Sequence, residues 1–108
     1  MITVRFSGIG ANLTGFSVHG HAGLAPHGQD ILCAAVSSAA YMTVNTITEI
    51  YGVSCVSEVN DGEMKVRLSA EDAQAVQPVL KGFSLHVRAL SRQYPKHLKV
   101  IYGGTENA

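Results

Sequence analysis

A helical pattern runs through the stretch "DILCAAVSSAAYMTVNTITEIYG", from Asp30 to Gly52. Apolar or small side chains recur there at intervals of three and four residues, the spacing that places them on one face of an α-helix. The glycine at the end of the stretch marks where the helix stops. The stretch therefore predicts a core helix, and its buried face is predicted to hold Leu32, Val36, Ala39, Thr43, Ile47 and Ile50.

Strand patterns lie on both sides of this helix. Before it, residues 2–6 and 13–19 alternate between apolar and polar side chains, which is the period of a half-buried strand. After it, residues 53–57 and 64–68 show the same alternation, and the turn sequence Asn60-Asp61-Gly62 joins them as a β-hairpin.

A second helical pattern follows the hairpin. Ser69 and Asp72 resemble a capping box, and Pro78 then either kinks the helix or separates a short helix from a longer one. A last strand is predicted at residues 98–102. The order ββαββαβ predicts an α+β fold with two layers, in which two main helices pack on a mainly antiparallel sheet. The apolar stripe of the second helical pattern is Ala73, Val76, Leu80, Phe83, Val87 and Leu90.

Length and composition predict one globular domain. The chain has 108 residues, of which 46% are hydrophobic and 15% are charged. Eight basic and eight acidic side chains leave no net charge, and the Lys and Arg residues are scattered along the sequence, so no nucleic-acid partner is expected. We find no signal-peptide pattern or membrane-spanning run, and therefore expect a cytoplasmic protein whose two cysteines are thiols.

Cys33 lies in the first turn of the core helix, three residues after a predicted N-cap at Asp30. Unpaired backbone N–H groups and the positive end of the helix dipole favour a thiolate there. The imidazole of His21 could take the thiol proton and return it to a leaving amine. Ser37 shares the helix face of Cys33 and could donate a hydrogen bond, whereas Tyr41 is predicted to pack or to lie at an interface, with lining of a substrate groove as the lesser alternative.

Two other interpretations of this region stay open. Cysteine is among the most often buried residues, so Cys33 could simply pack in the core, although it lies off the buried stripe. Alternatively, His19, His21, His27 and Cys33 could bind a metal ion. Their spacing matches no standard zinc motif, and no carboxylate-rich set completes them.

The stretch "GHAGLAPHGQDILCAAVS", residues 20–37, resembles the signature of the ribosomal-processing cysteine proteases, the YsxB-like or Prp family. That signature is a Gly-His-Ala sequence, a glycine-containing loop and an Asp-Ile-x-Cys-Ala-Ala-Val-Ser helix start. The segment "QYPKHLKV" resembles the family's helix-to-strand ending, whereas Leu24 stands where an aromatic residue is common and Leu32 replaces a usual valine. The residues in register are Gly20, His21, Ala22, Gly28, Asp30, Ile31, Cys33, Ala34, Ala35, Val36 and Ser37.

The resemblance implies a single ribosomal-processing cysteine protease-like domain over residues 1–108, forming a small cytosolic homodimer. Such an enzyme removes the N-terminal extension of a large-subunit ribosomal protein, cleaving after bulky aromatic residues. No cofactor, metal ion, nucleic acid or membrane is implied. The alternative is a non-catalytic ribosome-associated module that binds a partner or a metal ion.

The resemblance also assigns the site. The family's nucleophile and base carry over to Cys33 and His21, with Asp30 and Ser37 in supporting positions. The loop between them, which contains Gly23, Pro26 and Gly28, is predicted to move over a bound peptide. The predicted substrate-binding residues in this region are Gly20, Ala22, Gly23, Leu24 and Gly28.

Overall fold

A computed structural model describes residues 1–20, 31–60 and 62–103, and it confirms the predicted α+β order. The second helical pattern forms two helices, which makes three α-helices in the described residues. The elements are β1 (Ile2–Ile9), β2 (Asn12–Gly20), α1 (Ile31–Asn45), a π-helical turn (Thr46–Ile50), β3 (Val56–Asn60), β4 (Glu63–Arg67), α2 (Ala70–Ala75), α3 (Gln77–Gln93) and β5 (Leu98–Tyr102).

The five described strands form one sheet in the order β3-β4-β2-β1-β5. The β1–β2, β2–β4 and β3–β4 pairs are antiparallel, while β1 and β5 are parallel. After β4 the chain passes through α2 and α3 to the opposite edge of the sheet. This long helical connection allows β5 to run parallel to β1. The sheet is mixed but mainly antiparallel, as the sequence predicted.

The hydrophobic core lies between one face of the sheet and the helices. Alternate residues of β1, namely Ile2, Val4 and Phe6, point into it because successive side chains of a strand face opposite sides. The core is contiguous, which fits a single layer of helices on a single sheet. Its buried apolar residues are Ile2, Val4, Phe6, Phe16, Leu32, Val36, Ala40, Ile47, Met64, Val66, Val76, Leu80, Phe83, Val87 and Leu98.

Helix α1 buries most of its predicted stripe, but the prediction for Ile50 is wrong because that side chain is exposed. The last turn widens into the π-helical turn, where the Tyr51 N–H donates to the Thr46 carbonyl five residues earlier, at 3.0 Å. A π turn holds more residues than an α turn, so it rotates the following side chains away from the core. Ala40 is fully buried, whereas Ala39 is half-buried.

The sequence allowed either a kinked helix or two separate helices around Pro78, and the structure has two helices, α2 and α3. The Ser69 hydroxyl caps α2 by accepting from the Asp72 N–H at 3.1 Å, as predicted. The first turn of α3 contains Pro78, where a missing backbone donor costs little. Gln77 fixes this junction to β2, since its side-chain amide accepts from the Leu13 N–H at 2.9 Å and donates to the Leu13 carbonyl at 2.6 Å.

The helical stretch Ile31–Ile50 is long and apolar enough, by length and composition alone, to cross a membrane. Core helices of soluble domains meet the same criterion. Here the apolar side chains of Leu32, Val36 and Ile47 are buried in the hydrophobic core between the helices and the sheet. Strand β3 begins at Val56, whereas the sequence predicted a strand from residue 53, so the half-buried Cys55 lies before the strand.

Candidate active site

A cavity of about 260 Å³ opens where β2 ends, beside α1 and the β3–β4 hairpin. Its walls are largely apolar, with Cys33 and the Ser37 hydroxyl among its lining groups. A mainly apolar pocket with a few polar groups is the usual form of a binding site. The lining residues are Ile2, Val18, Gly20, Cys33, Val36, Ser37, Ala40, Tyr41, Val59, Asn60, Gly62, Glu63 and Met64.

Helix α1 supplies one wall through a row of residues spaced four apart. Cys33, Ser37 and Tyr41 lie along one side of the helix, next to the row that is buried in the core. Cys33 is the third residue of α1 and is half-buried, so its thiol lies in the first turn, at the positive end of the helix dipole. This position favours a thiolate.

Gly20 forms a second wall at the end of β2. Its N–H donates to the Gly62 carbonyl at 3.0 Å, which ties β2 to the β3–β4 hairpin. Its φ is 96°, and a Cβ at this position would overlap the Met1 carbonyl oxygen. Only glycine tolerates both this positive φ and this close approach to the Met1 carbonyl. Gly20 therefore sets the course of the chain at the end of β2, beside the cavity.

The structure brings together three of the predicted site residues, Gly20, Cys33 and Ser37. The remaining predicted site residues lie outside the described residues: His21, Ala22, Gly23, Leu24, Gly28 and Asp30.

Sequence reasoning missed the wall formed by the hairpin, where Val59, Asn60 and Gly62 line the cavity. Their signal in the sequence is only a turn between two strands, which does not reveal that β4 pairs with β2. Tyr41 also lines the cavity, which was the lesser of the predicted alternatives for this residue.

Comparison with known proteins decides the family. Residues 1–99 match the family model of the cysteine protease Prp. The chain belongs to the cysteine protease Prp family. The ribosomal processing cysteine protease Prp of Bacillus subtilis (strain 168) is 30% identical over 91 residues, which cover 79% of this chain and 81% of the relative. The resemblance seen in the sequence is thereby confirmed, and this Prp family member is a cysteine protease.

Solved structures share the fold. Prp from S. aureus with a covalently linked product peptide superposes with a TM-score of 0.86 at 23% identity, over 94% of this chain and 99% of that one. SMU.848 from Streptococcus mutans superposes with a TM-score of 0.79 at 28% identity, over 97% and 96% of the two chains. Both comparisons agree with the α+β architecture of this Prp family member.

The second cysteine of this Prp family chain differs from Cys33 in its surroundings. Cys55 lies outside the cavity wall, in the segment before β3, and burial raises the pKa of its thiol. Among the described residues, no three His, Cys, Asp or Glu side chains are grouped closely enough to hold a metal ion. Because His21 and His27 fall outside those residues, the metal-binding alternative stays open.

We predict that iodoacetamide at pH 7 modifies Cys33 at least about ten times faster than Cys55. The helix start favours the reactive thiolate at Cys33, whereas burial keeps Cys55 protonated. Cleavage after glutamate separates the two cysteines, because Glu49 lies between them, and mass spectrometry of the two resulting peptides over time gives both rates. In guanidinium-unfolded protein the two rates should converge, and equal rates in the folded protein would contradict the prediction.

Proposed function

We propose that this cysteine protease removes the N-terminal extension of a large-subunit ribosomal protein precursor, with Cys33 as nucleophile and His21 as base. The observation that carries the proposal is the position of Cys33 at the start of α1, in the wall of a cavity that Gly20 also lines. His21 is covalently bonded to Gly20, so the chain that carries the base starts at the same wall.

The proposed reaction has two stages. The His21 imidazole takes the thiol proton, and the Cys33 sulfur attacks the scissile carbonyl carbon while first-turn N–H groups hold the oxyanion. The C–N bond then breaks, and the imidazole returns the proton to the leaving amine. Water, deprotonated by the same imidazole, hydrolyses the thioester, which releases the carboxyl product and restores the thiol.

Supporting roles follow from the same arrangement. We assign Asp30 as the cap of α1 and Ser37 as a hydrogen-bond donor within the cavity, one helical turn beyond the nucleophile. Substrate contact is assigned to the backbone at Gly20 and to the residues that follow it, Ala22, Gly23, Leu24 and Gly28.

The walls of the cavity favour a bulky apolar substrate side chain. Val18, Val36 and Met64 supply apolar surface there, and Tyr41 adds an aromatic ring. Burial of an aromatic side chain against such walls is a large favourable term in binding. This chemistry supports cleavage next to bulky aromatic residues in the precursor.

A cytoplasmic homodimer completes the proposal. Apolar side chains lie exposed along α1 and the π-helical turn, where Tyr41, Met42 and Ile50 are 47%, 67% and 77% exposed. A contiguous exposed apolar surface is typical of an interface between protein chains. A second copy of the chain packed on this surface would remove these side chains from water.

The test is to incubate the full-length precursor with the protein and to read its N-terminus by mass spectrometry. We expect one new N-terminus from the wild type, and His21→Ala should lower the cleavage rate at least on the order of 10²-fold because it removes the general base. His19→Ala is the matched control, since His19 is exposed on strand β2 and does not line the cavity.

Two results would overturn the proposal. An intact precursor after prolonged incubation with the wild-type protein would remove the proposed substrate. Stoichiometric zinc in the purified protein, lost in both His19→Ala and His21→Ala, would instead favour the metal-binding module.

A further inference from the structure

The helices cover one face of the sheet, and the opposite face carries half of the basic side chains of the protein. Residues that pair across neighbouring strands lie on the same face, so the register places Arg5, Lys65, Arg67 and Lys99 together. All four side chains are exposed. We call this surface the open face.

The open face has a charge opposite to that of the rest of the chain. Besides its four bases it holds two carboxylates, Glu58 and Glu63, which pair with residues of β4 and β2 respectively. The chain as a whole has no net charge. The open face is therefore positive, and the remaining surface carries the compensating negative charge.

A shallow groove of about 390 Å³ crosses the open face between β1 and β4. Gly15 lies between the strands that line it and has no side chain to fill it. A Cβ there would overlap the Val66 carbonyl oxygen, so the close approach of β2 and β4 requires glycine. The groove is lined by Arg5, Ser7, Phe16, Ser17, Glu63, Lys65, Val66 and Arg67.

The cationic residues around this groove are far enough apart to contact separate phosphates of one nucleic-acid backbone. Arg5 and Lys65 both pair with Ser17, one on each side of β2, so their Cα atoms lie about 10 Å apart across two strand spacings. Lys65 and Arg67 are two residues apart on β4, which is about 7 Å. Within the described part of the chain, none of these three cations forms an ion pair.

Apart from the Glu63 carboxylate, the polar groups of the groove match those that contact phosphate. Arg and Lys side chains, together with hydroxyls such as those of Ser7 and Ser17, are the usual partners of phosphate oxygens. Among the exposed open-face positions of the described strands, His19 supplies the one aromatic ring, and no Phe, Tyr or Trp side chain lies there to stack on bases. These positions therefore favour recognition of the backbone over recognition of base sequence.

We propose that the open face binds the phosphodiester backbone of RNA without sequence specificity. The charge argument stands independently of the protease reaction, whereas the choice of RNA rests on the proposed function, which places the substrate among ribosomal components. This surface could not be expected from the linear sequence, because its four bases come from three strands that are far apart in the chain. Only the sheet order brings them together.

The test measures binding of a fluorescein-labelled, mixed-sequence 20-nucleotide RNA by anisotropy between 50 and 200 mM salt. With three cations on phosphates, the logarithm of the association constant should fall with a slope of about −2 against the logarithm of salt concentration. The triple variant Arg5→Gln, Lys65→Gln and Arg67→Gln should bind at least about tenfold more weakly at 50 mM salt and show a flatter slope. Its cleavage of a short synthetic peptide should be unchanged, since none of these residues lines the cavity beside Cys33.

A matched control removes the same charge elsewhere. Lys81, Arg88 and Arg92 are exposed on α3, and their triple replacement by Gln should leave RNA affinity within about twofold of the wild type. Equal weakening by the control would overturn the open face as the site, and absence of RNA binding at 50 mM salt would overturn the proposal without affecting the protease.

Tighter binding of polyglutamate than of RNA would indicate an acidic protein partner instead. Equal binding of DNA of the same sequence would support backbone recognition but overturn the choice of RNA.

Discussion

Cys33→Ala is expected to lower kcat for precursor cleavage by a factor on the order of 10⁴ or more. Removal of the nucleophile closes the covalent route and leaves only binding and oxyanion stabilisation to assist attack by water. The free energy of unfolding should change by no more than about 1 kcal/mol, because the half-buried side chain loses a single sulfur atom at the cavity wall. The folded protein should therefore still bind substrate peptide.

Cys55→Ala is the matched control, since the same chemical change is made outside the cavity wall. We expect it to retain full cleavage activity. Rates are measured by mass spectrometry of the precursor, urea unfolding gives the stability of each variant, and calorimetry with an intact peptide measures binding. Cleavage by Cys33→Ala at the wild-type rate would eliminate Cys33 as the nucleophile, and loss of activity in Cys55→Ala would point to the other thiol.

Local patterns predicted most of the secondary structure, because the forces behind them act over a few residues. The spacing of apolar side chains identified α1, the Ser69 hydroxyl marked the start of α2, and the Asn60-Asp61-Gly62 turn identified the β3–β4 hairpin. The π-helical turn has no comparable signal. It changes the helical period only after Asn45, and the exposure of Ile50 follows from that change.

The candidate site was also predicted only in part: the residues on α1 were predicted, and those on the hairpin were not. The four-residue spacing of Cys33 and Ser37 placed both on one helix face, and the structure shows both at one cavity. The contribution of Val59 depends on the pairing of β2 with β4, which joins segments that are about 50 residues apart in sequence. Such long-range pairing is decided by the packing of the whole sheet, which no local pattern reports.

Phe6→Ala should produce the largest loss of stability among single core substitutions that leave the site intact, at about 4 kcal/mol. The Phe6 side chain is fully buried, and its ring centroid lies 6.1 Å from that of Phe16, 5.7 Å from Phe83 and 5.3 Å from Tyr102. The Tyr102 ring is further held by a hydrogen bond between its hydroxyl and Ser84. The surrounding strands and helix hold these rings in place, so the space left by Phe6 can collapse only partly, and the cavity adds to the lost burial energy.

Urea unfolding followed by circular dichroism measures this loss, with Leu85→Ala as the control. Leu85 is 59% exposed on α3, so its truncation should change the free energy of unfolding by less than about 0.5 kcal/mol. Phe6 does not line the cavity at Cys33, and the folded fraction of Phe6→Ala should cleave the precursor at the wild-type rate. The Cys33 and Phe6 variants thus separate chemistry from folding: one loses activity with stability retained, and the other loses stability with activity per folded molecule retained. A stability loss below about 1 kcal/mol in Phe6→Ala would show that the aromatic cluster repacks and is not the rigid centre of the core.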